Sequence, residues 1–91
     1  MNYESLPGSE LITSGIQDLQ SGIESVPALL VSIGAPRLRR LGLRIPENCI
    51  PWPEIRLYER LQQPNPDAAH SRYNALIRRL VSFERAAECG R

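Results

Sequence analysis

Residues 66–88 read PDAAHSRYNALIRRLVSFERAAE, and this stretch decides the fold. At roughly 100° per residue, Tyr73, Leu76, Ile77, Leu80, Phe83 and Ala87 fall on one arc, the signature of a helix with a single buried side. Just before it, Asn65 offers a side-chain oxygen to cap the helix. Pro66 suits the first helical position, and Asp67 complements the positive end of the helix dipole. The spacing predicts a helix from about Pro66 to Glu88, long enough to be the spine of an all-α domain.

The far side of that helix has its own pattern. Ser71, Ala75, Ser82 and Ala86 line up as a floor of small residues, with Arg72 and Arg79 along one edge and Arg78 and Arg85 along the other. Such a face accepts an acidic helix close to its backbone, or straddles a phosphate backbone, because Arg and Ser both donate to anionic oxygens. A solvated surface requires neither. Glu84 falls inside the apolar arc and is expected to pair with Arg37, Arg39, Arg40 or Arg44 in a structural role.

Upstream, Pro64-Asn65-Pro66-Asp67 is a turn, and before it Pro53 and Glu54 open a short helix ending near Gln63, with Ile55, Tyr58 and Leu61 as its apolar stripe. Between 43 and 53, Pro46, Pro51 and Pro53 exclude regular helix and predict an extended, Pro-rich connector. Trp52 lies within it. The commoner arrangement for such a Trp plugs the indole onto the core with its N–H bonded to a carbonyl. The alternative is an exposed anchor for a partner, which makes Trp52 a partner-binding candidate.

The N-terminal third reads as two more helices. Ser9 can cap the first, in which Ile12, Ile16, Leu19 and Ile23 form a narrow seam. Gly22 ends it, and Gly15 beside the seam permits close approach by another helix, at about 1 kcal/mol in helix propensity. A second helix starts at Ser25, carries Pro27 in its first turn and runs to Gly34. It is apolar nearly all round, as a central helix is. Ala35 and Pro36 are expected to restart the chain into a short third helix that Gly42 closes. The expectation is thus all-α: a compact array of four to five helices with a long C-terminal helix, one domain over residues 1–91, flexible over about the first eight.

Charge divides by position. All eleven basic residues are Arg, none is Lys, and all lie after Pro36; residues 1–36 carry only Glu4, Glu10, Asp18 and Glu24. The overall net charge of +1 conceals this split, which points to an electrostatic partner or to two halves of one fold that attract each other. Arg37, Arg39, Arg40 and Arg44 make a basic segment interleaved with Leu38, Leu41 and Leu43, a candidate phosphate-binding rim. Because Arg39 and Arg40 are adjacent they diverge on a helix, so this is a broad rim rather than a reading stripe.

Residues that carry catalysis or hold a metal are scarce. His70 is the lone histidine, and Cys49 and Cys89 stand apart from it without metal-ligand spacing, so neither a zinc site nor a Cys–His nucleophile pair is expected. Arg72 follows rather than precedes His70, and Arg60 lies beyond the Pro64 and Pro66 turn. The arginine-before-histidine pairing of small helical ribonucleases is therefore not met. Neither a Gly-rich phosphate loop nor a cationic leader ahead of an apolar stretch is present, and the longest aliphatic run, Leu29 to Val31, is far too short for a bilayer. Cysteine usage fits a reducing, cytoplasmic setting.

The functional expectation is a non-enzymatic, cofactor-free interaction module, such as a regulatory or accessory subunit or an antitoxin-like neutraliser. It would dock on a partner chain or on its own twin as a homodimer. The contact residues would be Ser71, Arg72, Ala75, Arg78, Arg79, Ser82, Arg85 and Trp52, together with the Gly15 side of the first helix. The alternative is a small dimeric nucleic-acid-binding regulator that uses the Arg-rich helix faces.

Overall fold

The computed structural model describes residues 3 and 5–89. Four helices follow one another: α1 (Ser9–Gln20), α2 (Val26–Arg40), α3 (Pro53–Gln62) and α4 (Ala69–Cys89), the last entered through a 3-10 turn at Pro66–Ala68. No strand occurs among the described residues. The Cα radius of gyration is 12.7 Å, near the value of about 12 Å for a close-packed domain of this length.

α2 is the central element. Ala28, Leu29, Leu30, Val31 and Leu38 are fully buried, and the helix packs on α1, α3 and α4. Its start is fixed by Ser25, whose Oγ accepts the Ala28 N–H at 3.1 Å and donates to Asp18 Oδ2 at 2.6 Å, tying the cap to the end of α1. The expected break at Gly34 to Pro36 does not occur, and α2 continues through Pro36 to Arg40. Pro36 removes a helical donor at a cost of roughly 3 kcal/mol. Beyond it, however, Leu38 and Leu41 are both buried, each contributing about 1.5–3 kcal/mol, so tertiary burial outweighs the local penalty. Gly34 serves packing instead of termination: a Cβ there would lie 2.9 Å from Leu80 Cδ1 and 3.2 Å from a Glu84 carboxylate oxygen.

Gly42 does end α2. At φ 99° it donates its N–H to the Arg39 carbonyl, while Leu43 N–H reaches the Leu38 carbonyl, the paired bonds of a Schellman turn. Gly22 ends α1 in the same way, with bonds from Gly22 N–H to Leu19 O and from Ile23 N–H to Asp18 O.

In α1 the cap position is Gly8 at φ 79°, and Ser9 is the first helical residue. Ile12 and Leu19 are buried and Ile16 half-buried, whereas Ile23 lies past the helix end and is exposed, so the seam stops at Leu19. Gly15 is the crossing point with α2, since a Cβ there would lie 2.3 Å from the Pro27 carbonyl oxygen and 2.5 Å from Val31 Cγ2. The Gly15 side of α1, expected to meet a partner, is therefore covered by α2 of the same chain.

α3 buries Leu57 and Leu61 and half-buries Tyr58, which meets Tyr73 of α4 edge-on with ring centroids 5.7 Å apart. Ile55, expected in the apolar stripe, is exposed, because the buried direction is set by the Leu57 and Leu61 pair four residues apart. In α4, Leu80, Phe83 and Ala87 are buried and Tyr73, Leu76 and Ile77 half-buried. Asn65 caps the entry by accepting the Ala68 N–H at 3.3 Å. Within the N-terminal stretch expected to be flexible, residues 1, 2 and 4 lie outside those described; Tyr3 donates to the Leu41 carbonyl at 2.7 Å and packs its ring 5.9 Å from that of Phe83.

Candidate functional site

The connector of residues 43–52 is irregular but firmly attached. Arg39 donates to the Pro46 carbonyl at 2.8 Å, Asn48 Nδ2 donates to the Leu19 carbonyl at 2.8 Å, and Ile50 N–H donates to Ser32 Oγ at 3.1 Å. Ser32 is buried and also donates to the Ala28 carbonyl, so one hydroxyl ties α2 to the connector. These tethers stop two residues short of Trp52, whose carbonyl in turn accepts Arg56 N–H at 3.1 Å from the first turn of α3.

Trp52 is thus held from both sides, and it projects outward. It is 75 % exposed, which overturns the core-plug expectation. The tethers hold the backbone as far as Ile50, and two residues on the indole stands out from the surface. At φ 53° and ψ 47°, Trp52 is the only non-Gly residue with positive φ among those described. This conformation costs about 1–3 kcal/mol in a bulky side chain, and strain of this kind concentrates at functional positions.

Two further large apolar side chains are exposed in the same region: Ile55, one helical turn on from Trp52, at 59 %, and Ile23 at 52 %. Ile23 and Pro51 line a cleft of about 400 Å³ together with Glu24, Asn48, Cys49, Ile50 and Arg56. Glu24 receives Arg56 at 2.5 Å and approaches Arg60 at 3.9 Å, giving the apolar region a charged border. Cys49 is a free thiol at the back of the cleft, donating to the Pro46 carbonyl at 3.2 Å, while the other free thiol, Cys89, is exposed on the last turn of α4.

The outer face of α4 is partly committed to the fold. Ser71, Arg72, Ala75, Arg78, Arg79, Ser82 and Arg85 are all exposed, but Arg79 is ion-paired with Glu10 of α1. One of the two arginine edges is therefore anchored at its middle. Arg72, Arg78 and Arg85 have no ionic partner among the described residues.

The basic segment at the end of α2 is also largely engaged. Arg37 meets Glu88 at 2.7 Å and Glu84 at 3.7 Å, Arg39 holds Pro46, and Arg40 Nε points at the Pro36 carbonyl at 3.5 Å. Arg44, exposed beyond the turn, has no ionic partner among the described residues. Arg37 is the partner that Glu84 was expected to find. Glu84 is buried between α2 and α4, and this desolvation pushes its carboxyl above the ordinary range, while the Arg37 charge pulls it back in part. Burial raises Tyr73 likewise, with Glu54 adding to the shift.

His70 is exposed and sits 3.2 Å from Asn74 Nδ2, a contact within one turn of α4. No group of three His, Cys, Asp or Glu side chains converges on a common point among the described residues. No helix among them is long and apolar enough to cross a membrane. Searches of family models, of curated proteins and of solved structures gave no match to the chain.

Trp52 was visible in the sequence as a candidate, but Ile23 and Ile55 were not. A weak signal existed for Ile55. It stands two residues before Leu57, and on a helix whose buried stripe is Leu57 and Leu61 that offset turns it outward.

Proposed function

We propose that this chain is a non-enzymatic helical interaction module whose docking surface centres on Trp52. One observation carries the reading: a tryptophan in left-handed backbone, three-quarters exposed, with Ile55 beside it and its flanking backbone held to the body of the domain. Trp is the residue type most enriched at binding hot spots, and a pre-ordered anchor forfeits little entropy on docking. The surrounding polar rim, with the Glu24 and Arg56 pair, resembles the border of a protein interface more than that of a substrate pocket. A regulatory or accessory subunit, or an antitoxin-like neutraliser, would work through such a surface.

The test compares native complexes captured on wild-type chain and on Trp52→Ala, with sedimentation velocity on each variant alone. A stoichiometric protein partner or a self-dimer that the substitution removes is the expected result. Identical retention and identical sedimentation would overturn the reading.

A second reading rests on Arg72, Arg78 and Arg85, which are exposed and without ionic partners among the described residues. It is a nucleic-acid contact along α4. Affinity for duplex DNA or RNA that falls steeply with salt, and that disappears in the triple Ala variant of these three, would favour it.

A further inference from the structure

We propose that the cleft between α1 and the turn after α2 is a binding site for a small amphipathic carboxylate, an aliphatic or aromatic tail bearing a single negative charge. The cleft has a volume of about 350 Å³, at the lower end of the range of about 300–1,000 Å³ for small-molecule sites. It lies apart from the Trp52 surface and shares no lining residue with the cleft beside it.

Its floor is apolar: Ile12 and Ile16 from α1, Leu43 from the turn and Phe83 from α4. Tyr3 forms one wall, held there by its hydrogen bond to the Leu41 carbonyl and its ring contact with Phe83. Thr13, Gln20 and Arg44 also line it, all three exposed. Arg44 is the one charged side chain among the described lining residues, which include no carboxylate.

Arg72, Arg78 and Arg85 also lack ionic partners among the described residues, but they lie on the outer face of α4 and line none of the hollows described. Arg37, Arg56, Arg60 and Arg79 each face a glutamate. Three other hollows lined by arginine, the cleft at Arg56 beside Trp52 and those at Arg56 with Arg60 and at Arg37 with Arg40, each contain a glutamate of their own. Of these four hollows, the one at Arg44 alone sets an unpaired guanidinium beside an apolar floor. The Schellman turn at Gly42 creates the juxtaposition by bringing Leu43 and Arg44, successive residues, to the same cleft.

A guanidinium takes a planar carboxylate through two parallel N–H···O bonds and is weakly hydrated enough to do so beside apolar surface. The tail of the ligand would cover Ile12, Ile16, Leu43 and Phe83. A neutral molecule would gain the floor alone, and a cation would meet Arg44 with like charge.

The experiment titrates octanoate, octanol and octylamine into the full chain and follows backbone amide resonances. Octanoate is expected to bind saturably with shifts centred on Thr13, Ile16, Leu43 and Arg44, octanol more weakly, and octylamine weakest. Arg44→Gln, at an exposed and unpaired position that the fold does not use, should weaken octanoate by about tenfold or more, the worth of a charge-assisted hydrogen bond, while leaving octanol unchanged. Thr13→Trp, which fills the mouth from an exposed position, should abolish binding of both. Non-saturable shifts, shifts centred elsewhere, octylamine binding as well as octanoate, or wild-type octanoate affinity in Arg44→Gln would each overturn the assignment.

Discussion

Two residues show how much a single backbone position can decide here. Trp52 holds a conformation that suits glycine, so Trp52→Gly should raise stability by about 1 kcal/mol, the relieved strain exceeding the added chain entropy. Urea unfolding checks this, and a loss of stability in that variant would mean the indole contributes packing that its exposure does not suggest. Gly15 is the converse case. A methyl group placed 2.3 Å from the Pro27 carbonyl oxygen has backbone to displace, so Gly15→Ala should lower stability by about 1–3 kcal/mol despite the better helix propensity of Ala. Gly22, with nothing within 4 Å of its would-be Cβ, is constrained instead by its φ of 72°.

At the scale of elements, the connector depends on side chains that belong to the helices it crosses. Ser32→Ala would remove the acceptor for Ile50 N–H and leave that amide without its partner, at a cost of about 1–3 kcal/mol. The Ile50 amide should then exchange with solvent faster, and the emission of Trp52, two residues on, should broaden as the segment loosens. Unchanged exchange at Ile50 would show that the other tethers suffice.

The helices differ in how plainly the sequence announced them. α4 was legible from its apolar period, except at its start: the helix expected from Pro66 begins at Ala69, and Asn65 caps a 3-10 turn over Pro66–Ala68 instead. α2 was legible only to Gly34, since Gly34 and Pro36 are local stop signals, and what overrides them is burial of Leu38 and Leu41 by remote segments. Trp52 could not be oriented for the same kind of reason. The connector before it is held by bonds that Leu19 and Ser32 accept and Arg39 donates, and no local pattern encodes those pairings. The α4 edges looked symmetrical in sequence; Glu10, sixty-nine residues from Arg79, breaks that symmetry.

On the scale of the whole molecule, the charge split after Pro36 is bridged inside the fold at Glu10 and Glu24, while Arg44, Arg72, Arg78 and Arg85 have no ionic partner among the described residues. Glu10 of α1 pairs with Arg79 of α4, Glu24 pairs with Arg56 and Arg60 of α3, and Arg37 of α2 pairs with Glu84 and Glu88 of α4. Glu84 makes this arrangement pH-sensitive. Its carboxyl titrates above its ordinary value of 4.5 in the folded chain, so the folded state binds the proton more tightly than the unfolded state does. The stabilisation from that proton is complete below about pH 4.5 and is lost as pH rises through the raised folded value. Wild type should therefore lose stability relative to Glu84→Gln as pH rises from about 4.5 through the raised folded value. Parallel denaturant curves across that window check the sign, and a constant difference between the two proteins would refute it.

The arginine-only supply of positive charge has a consequence for the chemistry that can reach this protein. A guanidinium keeps its proton in any alkaline solution a protein survives, and lysine acetylation has no target side chain in these 91 residues. The cationic partner in each of these ion pairs is therefore permanent. Neither a rise in pH nor an acetyltransferase can neutralise it, and any switch acting on these contacts must act on the glutamates.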